Sequence, residues 1–272
     1  MNSSGYSVGV ALVRSVPGRV WRLSLDRPQG RNAISGPMLG ELGATLGAAA
    51  TDPQARVVLL SGEGDDFCAG ADLGELDAAA DGPGGLEYGR GFEDVLRAVG
   101  EHPLPVVAVV HGAALGAGCQ IAVACDLAVA AADATIGIPS ARLGVVINYE
   151  NIERLVLSVG PKRAAEILVA GRTLSGEEAA RWGLVNEAVA PDALAERATA
   201  LGERIAAAAP LSVRGSKRGI RAALARLSLD REAEGYRVAD FDMMAAEAFA
   251  SEDLREGIRA FRERRRPRFR GT

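Results

Sequence analysis

Two short segments built from glycine and alanine can do chemistry with the main chain alone: Phe67-Cys68-Ala69-Gly70-Ala71-Asp72 and Gly112-Ala113-Ala114-Leu115-Gly116-Ala117-Gly118-Cys119-Gln120. Each follows an apolar run, and neither carries much reactive side chain. Turns without bulky side chains let backbone N–H groups approach a ligand. Two such turns that converge hold one oxygen between two amide donors, the arrangement of an oxyanion hole. The plainer reading is a pair of tight strand-to-helix turns whose small residues serve packing. A dinucleotide fingerprint is excluded, because Gly112, Gly116 and Gly118 do not fit GxGxxG.

Reactive side chains are scarce around these segments. His102 and His111 are the only histidines; one precedes Pro103 ahead of a strand and the other ends that strand, which suits capping or packing. Cys68 and Cys119 flank the proposed hole, yet nothing basic adjoins them to make a thiolate, so they read as small buried residues. With Cys125 they make an odd number without CxxC spacing, which argues against a disulfide framework or a zinc site and for reduced thiols in the cytoplasm. Lys162 and Lys217 are the only lysines, leaving few candidates for a Schiff base. A net charge of -4 argues against general nucleic-acid binding.

The elements that must position the two turns alternate between strand and helix. Trp21 to Leu25 alternates apolar and polar residues and stops at Asp26-Arg27-Pro28-Gln29-Gly30. Ser35 with Pro37 predicts a helix to about Thr51. Val57 to Ser61 and Val106 to Val110 are continuous apolar runs suited to strands covered on both faces. Leu73 to Gly100 is less patterned, with Gly82-Pro83-Gly84-Gly85 as a connection and a helix from about Leu86. Gly116 to Ala124 predicts a short helix, Leu127 to Ala131 a strand, Tyr149 to Ser158 a helix and Val185 to Val189 a last strand. Ser175-Gly176-Glu177-Glu178 has capping-box spacing, so a helix starts there.

After Pro191 the strand signals vanish, and Asp192 to Ala209, Leu211 to Leu227, Asp230 to Ala250 and Glu252 to Arg264 read as successive helices. The 272 residues therefore divide into an α/β core, 1–195, and a helical region, 196–272. Met1 to Tyr6 lacks a basic segment and no apolar run reaches spanning length without a charge, so the expectation is an untargeted cytoplasmic protein without membrane insertion.

Leu25-Asp26-Arg27-Pro28 with Arg31-Asn32-Ala33-Ile34, then Val57 to Leu73, Val106 to Asp126 and Arg262 to Gly271, together resemble the crotonase superfamily, the enoyl-CoA hydratase/isomerase family. The resemblance covers nearly the whole chain. It implies an α/β fold, a crotonase-like ββα spiral core with a C-terminal helical trimerisation region, assembled as a homotrimer or a dimer of trimers. It also implies an acyl-CoA thioester as ligand, with no other tightly bound cofactor. Carried over by position, the oxyanion-hole donors are the N–H groups of Ala71 and Ala117. Arg31, Asn32, Ala33 and Ile34, with Ala69, Gly70, Asp72 and Leu73, fall where the family grips the pantetheine and adenine. Phe261 and Arg264 match tail positions that meet the cofactor, and the surrounding arginine run reads as cofactor-facing or solvated rather than nucleic-acid-binding.

The resemblance also marks two departures. The family's hydratases use two glutamates to add water, and this chain has Gln120 and Ser140 at those positions. Gln120 orients a water but cannot take its proton, and Ser140 has no adjacent base in sequence. General acid–base help is worth roughly 10²- to 10⁴-fold per group, so a fast hydration is hard to sustain. Related dienoyl-CoA isomerases place an aspartate where Asn148 stands, which removes that route as well. Glu150 remains a polar candidate for the acyl site, with a solvated first-turn glutamate as its plainer reading. The stretch Pro139 to Gly144 with Asn151 to Leu155 looks most like an actinobacterial subgroup lacking the hydratase glutamates, of which at least one member is thought to hand on acyl-CoA without turning it over. The expected functions are thus a carbonyl-polarising family enzyme of doubtful hydratase activity or, alternatively, a non-catalytic acyl-CoA carrier or partner-binding protein.

Overall fold

The apolar runs at Val57 and Val106 become the centre of a six-stranded sheet. The computed structural model describes residues 12–80, 84–228 and 238–271. The large sheet is ordered β1 (Val13–Val16), β2 (Val20–Leu25), β3 (Val57–Gly62), β4 (Val106–Val110), β6 (Leu127–Ala131) and β9 (Glu187–Val189), with only β1 antiparallel to its neighbour. Every residue of β4 is buried, as a parallel strand covered on both faces requires. β2 departs from simple alternation: Leu23, Ser24 and Leu25 are all buried, because β1 and β3 flank it and α1 (Gly36–Thr51) packs against it.

A second, smaller sheet comprises β5 (Ala113–Leu115), β7 (Thr135–Gly137) and β8 (Thr173–Ser175). These three-residue strands have no periodicity to read, and β5 lies inside a segment whose glycines and alanines suggest only a turn. Single bridges, Cys68 with Ala114 and Ile34 with Ala71, extend this layer toward the chain's beginning. Each circuit of the chain therefore adds a long strand to one layer, a short strand or bridge to the other, and then a helix. The circuits run β3, Cys68 and Ala71, then α2 (Leu73–Ala80) and α3 (Gly84–Glu101); β4, β5 and α4 (Ala117–Ala124); and β6, β7 and α5 (Tyr149–Val159). The expected ββα spiral is present.

Several boundaries differ from the sequence reading. Gly84 and Gly85 belong to α3 rather than to a connection; Gly82 and Pro83 lie outside the described residues. A helix at α6 (Pro161–Leu168) follows α5 directly, with Pro161 in its first turn. The capping box at α7 (Gly176–Trp182) is complete, Ser175 and Glu178 each accepting the other's backbone N–H. The expected division after residue 195 falls in the first turn of α8 (Leu194–Ala207), which packs on β2, β3, β4 and β6 through buried Ala198 and Leu201. That helix belongs to the core, and only α9 (Pro210–Ser228), α10 (Val238–Ala250) and α11 (Glu252–Arg262) extend beyond it. Residues 230–237 of the expected third C-terminal helix lie outside the described residues.

Polar anchors tie the layers together. Lys217 of α9 is buried against the core, its Nζ 2.6 Å from Asp126 Oδ2 and 3.0 Å from Leu104 O. His102 sits in the same region with Nε2 3.0 Å from Leu46 O, which gives it the packing role expected of it.

Close backbone approach sets the fit between circuits. A Cβ on Gly118 would lie 2.3 Å from Cys68 O and 2.8 Å from Cys68 Cβ, so α4 sits against the preceding circuit only because residue 118 has no side chain. Overpacking of this kind costs about 1–3 kcal/mol. Gly118→Ala is expected to lower stability by that amount in urea unfolding, with the far-ultraviolet spectrum retained.

Candidate functional site

The first turn, Phe67 to Asp72, is braced by a neighbouring segment with two residues in left-handed backbone, Arg31 (φ 52°) and Asn32 (φ 54°). Asparagine tolerates this conformation better than most side chains. Asn32 is fully buried: its Oδ1 accepts from Arg27 N at 2.9 Å, and its Nδ2 donates to Glu63 O at 2.8 Å and Asp66 O at 2.7 Å. Asp66 in turn accepts from the Arg31 guanidinium at 2.6 and 3.1 Å and from Ala113 N at 2.7 Å, joining the first turn to the second. The Arg31 hydrogen bond, reinforced by the Ala113 N–H, holds the Asp66 carboxyl below the usual carboxylate range against a burial effect that would raise it.

Main-chain pairing then decides which amides are left over. Ile34 N donates to Gly70 O at 2.8 Å, and Asp72 N donates to Ile34 O at 2.8 Å. The peptide groups on either side of Ala71 are thereby engaged, and the Ala71 N–H points the other way; it has no protein acceptor among the described residues. In the second turn Leu115 N donates to Cys68 O at 3.0 Å and Gly116 N to Gly137 O at 2.9 Å. Gly116 adopts φ +53° and α4 begins at Ala117. The Ala117 N–H is one of the helix's first, which have no intrahelical partner, and it too lacks an acceptor among the described residues. A Cβ on Gly70 would sit 3.3 Å from Leu115 O, and one on Gly116 would sit 3.8 Å from Gly70 Cα. The two turns therefore touch.

The fold has counterparts in known proteins. The profile of the enoyl-CoA hydratase/isomerase family matches residues 16–272. The chain belongs to this family. It is 34% identical over 265 residues to the 2,3-dehydroadipyl-CoA hydratase of Escherichia coli, covering 96% of this chain and 98% of that protein. A putative enoyl-CoA hydratase of Thermus thermophilus is 37% identical over 263 residues, covering 95% of this chain and all of its relative. The crystal structure of an enoyl-CoA hydratase/isomerase from Xanthobacter autotrophicus superposes with a TM-score of 0.82 at 29% identity, over 93% of each chain. The ββα spiral with its C-terminal helices is thus the α/β crotonase fold, in a family that acts on acyl-CoA.

Within this family member, Gln120 lies one helical turn beyond Ala117 on α4 and is buried. Its Oε1 accepts from Asn151 Nδ2 at 2.8 Å, and Asn151 Oδ1 accepts from Arg154 at 2.8 Å. Asn148 caps α5, its Oδ1 accepting from Asn151 N at 3.0 Å, while its Nδ2 donates to Glu93 Oε1 at 2.9 Å. Asn151 and Glu93 were missed from sequence. Asn151 stands three residues after a cap, a spacing that turns both side chains toward one end of the helix; Glu93 has no such signal, because α3 reaches Asn148 only in the folded chain.

Other expected residues fall differently. Ser140 is half-buried in a single helical turn, and no base hydrogen-bonds its hydroxyl among the described residues. Glu150 is exposed and 3.8 Å from Arg154, the solvated first-turn position rather than the acyl site. Asn32 and Ile34 are fully buried and shape the first turn; Arg31 is exposed and Ala33 half-buried. Ala69 donates its N–H to Arg31 O at 2.9 Å. Asp72 pairs with Arg27 at 2.6 Å and caps α2 through the Gly74 and Glu75 N–H groups, with Leu73 half-buried beside it. Phe261 and Arg264 are exposed at the end of α11. The neighbouring arginines are engaged within the chain: Arg265 pairs with Glu256 at 2.6 Å and Arg262 with Asp77 at 2.6 Å. Burial pushes the Cys68 and Cys119 thiols up to about 12, which leaves them inert.

The Asp66 pairing predicts a pH dependence. Its carboxyl titrates lower in the folded chain than when unfolded, so its stabilisation is complete above the unfolded value of about 3.9 and is lost as pH falls through the folded value. With Arg31 largely exposed, screening holds the effect to about 1 kcal/mol. Urea unfolding of Asp66→Asn and wild type from pH 7 to pH 3 should show a gap of that size closing toward the acid end.

Proposed function

We propose that this protein binds an acyl-CoA thioester and polarises its carbonyl between the N–H groups of Ala71 and Ala117. The observation that carries this reading is the pair of unspent amide donors on two touching turns. Two such donors aimed at a developing oxyanion are the largest single source of stabilisation in acyl chemistry, because they need no reorganisation when charge appears. The dipole of α4 adds to the field at Ala117. Arg31, Ala33, the main chain of Ala69 to Leu73, and Phe261 and Arg264 supply the coenzyme A contacts in this reading. The relatives' names, hydratases of enoyl-CoA and dehydroadipyl-CoA, agree with a thioester ligand.

Standard hydration is disfavoured. Gln120 and Ser140 stand where the family's two glutamates would act, and Gln120's carbonyl oxygen is already engaged by Asn151. That engagement supports a second reading, a carrier that holds acyl-CoA without consuming it, as in the subgroup the Pro139 to Leu155 region resembles.

The chain also carries apolar residues facing outward on its C-terminal helices, Leu211 and Ile220 on α9 and Met243 and Met244 on α10. Exposed apolar side chains on these two helices favour association, and a homotrimer or dimer of trimers fits the family. Light scattering should give three or six times the 28.2 kDa chain mass, with Ile220→Glu plus Met243→Glu shifting it toward monomer.

Isotope-edited infrared spectroscopy of a bound 2-enoyl-CoA tests the site. The thioester carbonyl stretch is expected to fall on binding to the wild type and to stay near its solution value in Ala71→Pro, which lacks that N–H. Calorimetry run in parallel reports binding. Decay of the conjugated absorbance faster than in Ala71→Pro would sink the carrier reading, and no affinity for acyl-CoA would sink the whole proposal.

A further inference from the structure

We propose that Glu93 is the proton-transferring carboxylate of the acyl site, a catalytic residue at a position that neither Gln120 nor Ser140 occupies; this rests on the acyl-CoA reading above. Glu93 lies on α3, half-buried, with Oε1 2.9 Å from Asn148 Nδ2. Asn148 is itself fixed, since its other side-chain atom caps α5 by accepting from Asn151 N. Asn151 then donates to Gln120, one helical turn from the Ala117 N–H. A hydrogen-bonded chain of side chains thus runs from Gln120, one helical turn beyond Ala117, to a carboxylate.

The same helix reaches the other donor. The Tyr88 hydroxyl of α3 donates to Ile34 O at 3.0 Å, and Ile34 is bridged to Ala71. α3 therefore touches the first turn through Tyr88 and the head of α5 through Glu93. No arginine or lysine pairs with Glu93 among the described residues; Arg154 is directed to Asn151 and Glu150, and Arg97, one turn along α3, to Asp94. Glu93 Oε2 accepts no hydrogen bond from the described residues, which leaves one carboxylate oxygen without a protein donor. One asparagine amide orients the carboxylate without neutralising it.

The step needs one base and no added reagent. Glu93 takes a proton from the α-carbon of the thioester; the C–H electron pair forms the C=C bond of the enolate, and the carbonyl π pair moves to the oxygen held by Ala71 and Ala117. The protonated Glu93 returns a proton to carbon, and all atoms and electrons are recovered.

Butyryl-CoA, a saturated probe that cannot be hydrated, isolates this step. The full-length protein is incubated with it in deuterium oxide, α-deuteration is followed by mass spectrometry, and calorimetry measures affinity for the same compound. The wild type should exchange its α-protons, Glu93→Gln should slow exchange at least about 100-fold with affinity kept within a few-fold, and Glu93→Asp should recover part of the rate. Binding by the wild type without exchange, or unchanged exchange in Glu93→Gln, would overturn the assignment while leaving the binding reading intact. Loss of affinity together with exchange in Glu93→Gln would make the residue structural and likewise overturn it. Failure of the wild type to bind butyryl-CoA would remove the acyl-CoA reading and this proposal together.

Discussion

The structure depends on main chain packed against main chain between successive circuits of the spiral. Cys68 is the point of contact: its N–H donates to Ala113 O, its carbonyl accepts from Leu115, and the same carbonyl would lie 2.3 Å from a Cβ on residue 118. Nothing larger than glycine fits there. Asp66 adds a side-chain clasp across the same seam by accepting from both Arg31 and Ala113. The two turns engage one another through their other main-chain groups, and the N–H groups of Ala71 and Ala117 have no protein acceptor among the described residues.

That arrangement separates two jobs that are often joined in one site. In the proposed acyl site, stabilising negative charge on oxygen falls to the backbone, which no ordinary side-chain substitution removes. Moving a proton falls there to side chains, and the hydrogen bonds link the amides Gln120, Asn151 and Asn148 to one carboxylate, Glu93. Amide groups orient and donate but do not ionise near neutral pH. A site of this kind retains the electrostatic part of thioester chemistry while restricting the acid–base part to wherever a carboxylate is brought in by the fold.

The C-terminal arginines show the same economy. Read along the chain they are an arginine-rich segment, but Glu256 is flanked by Arg259 and Arg265, and the backbone amides of Arg270 and Gly271 donate to Asp253. The Arg265 hydrogen bond, with help from the Arg268 N–H, lowers the Glu256 carboxyl to about 2. The tail folds back on the acidic face of α11, so its net charge overstates what it offers a phosphate. Phe261 and Arg264 remain outward.

The long parallel strands, the helix starts at Ser35 and Ser175, and the two glycine-alanine turns were legible in the sequence by itself. Each is announced by local chemistry: continuous apolar runs, a capping residue, or the absence of side chains. The family resemblance followed from the same segments, and the family profile matches residues 16–272. Tertiary structure alone decided the rest. Strands of three residues such as β5 and β7 have no period, and they exist because neighbouring circuits supply their hydrogen bonds. Asn32, drawn from a motif expected to touch ligand, is buried because three main-chain groups compete for its side chain. Glu93 and Asn148 are 55 residues apart, and only the packing of α3 against the α4–α5 region sets their hydrogen bond. Local sequence chose the groups able to act, and the long-range closure of the spiral chose which of them meet.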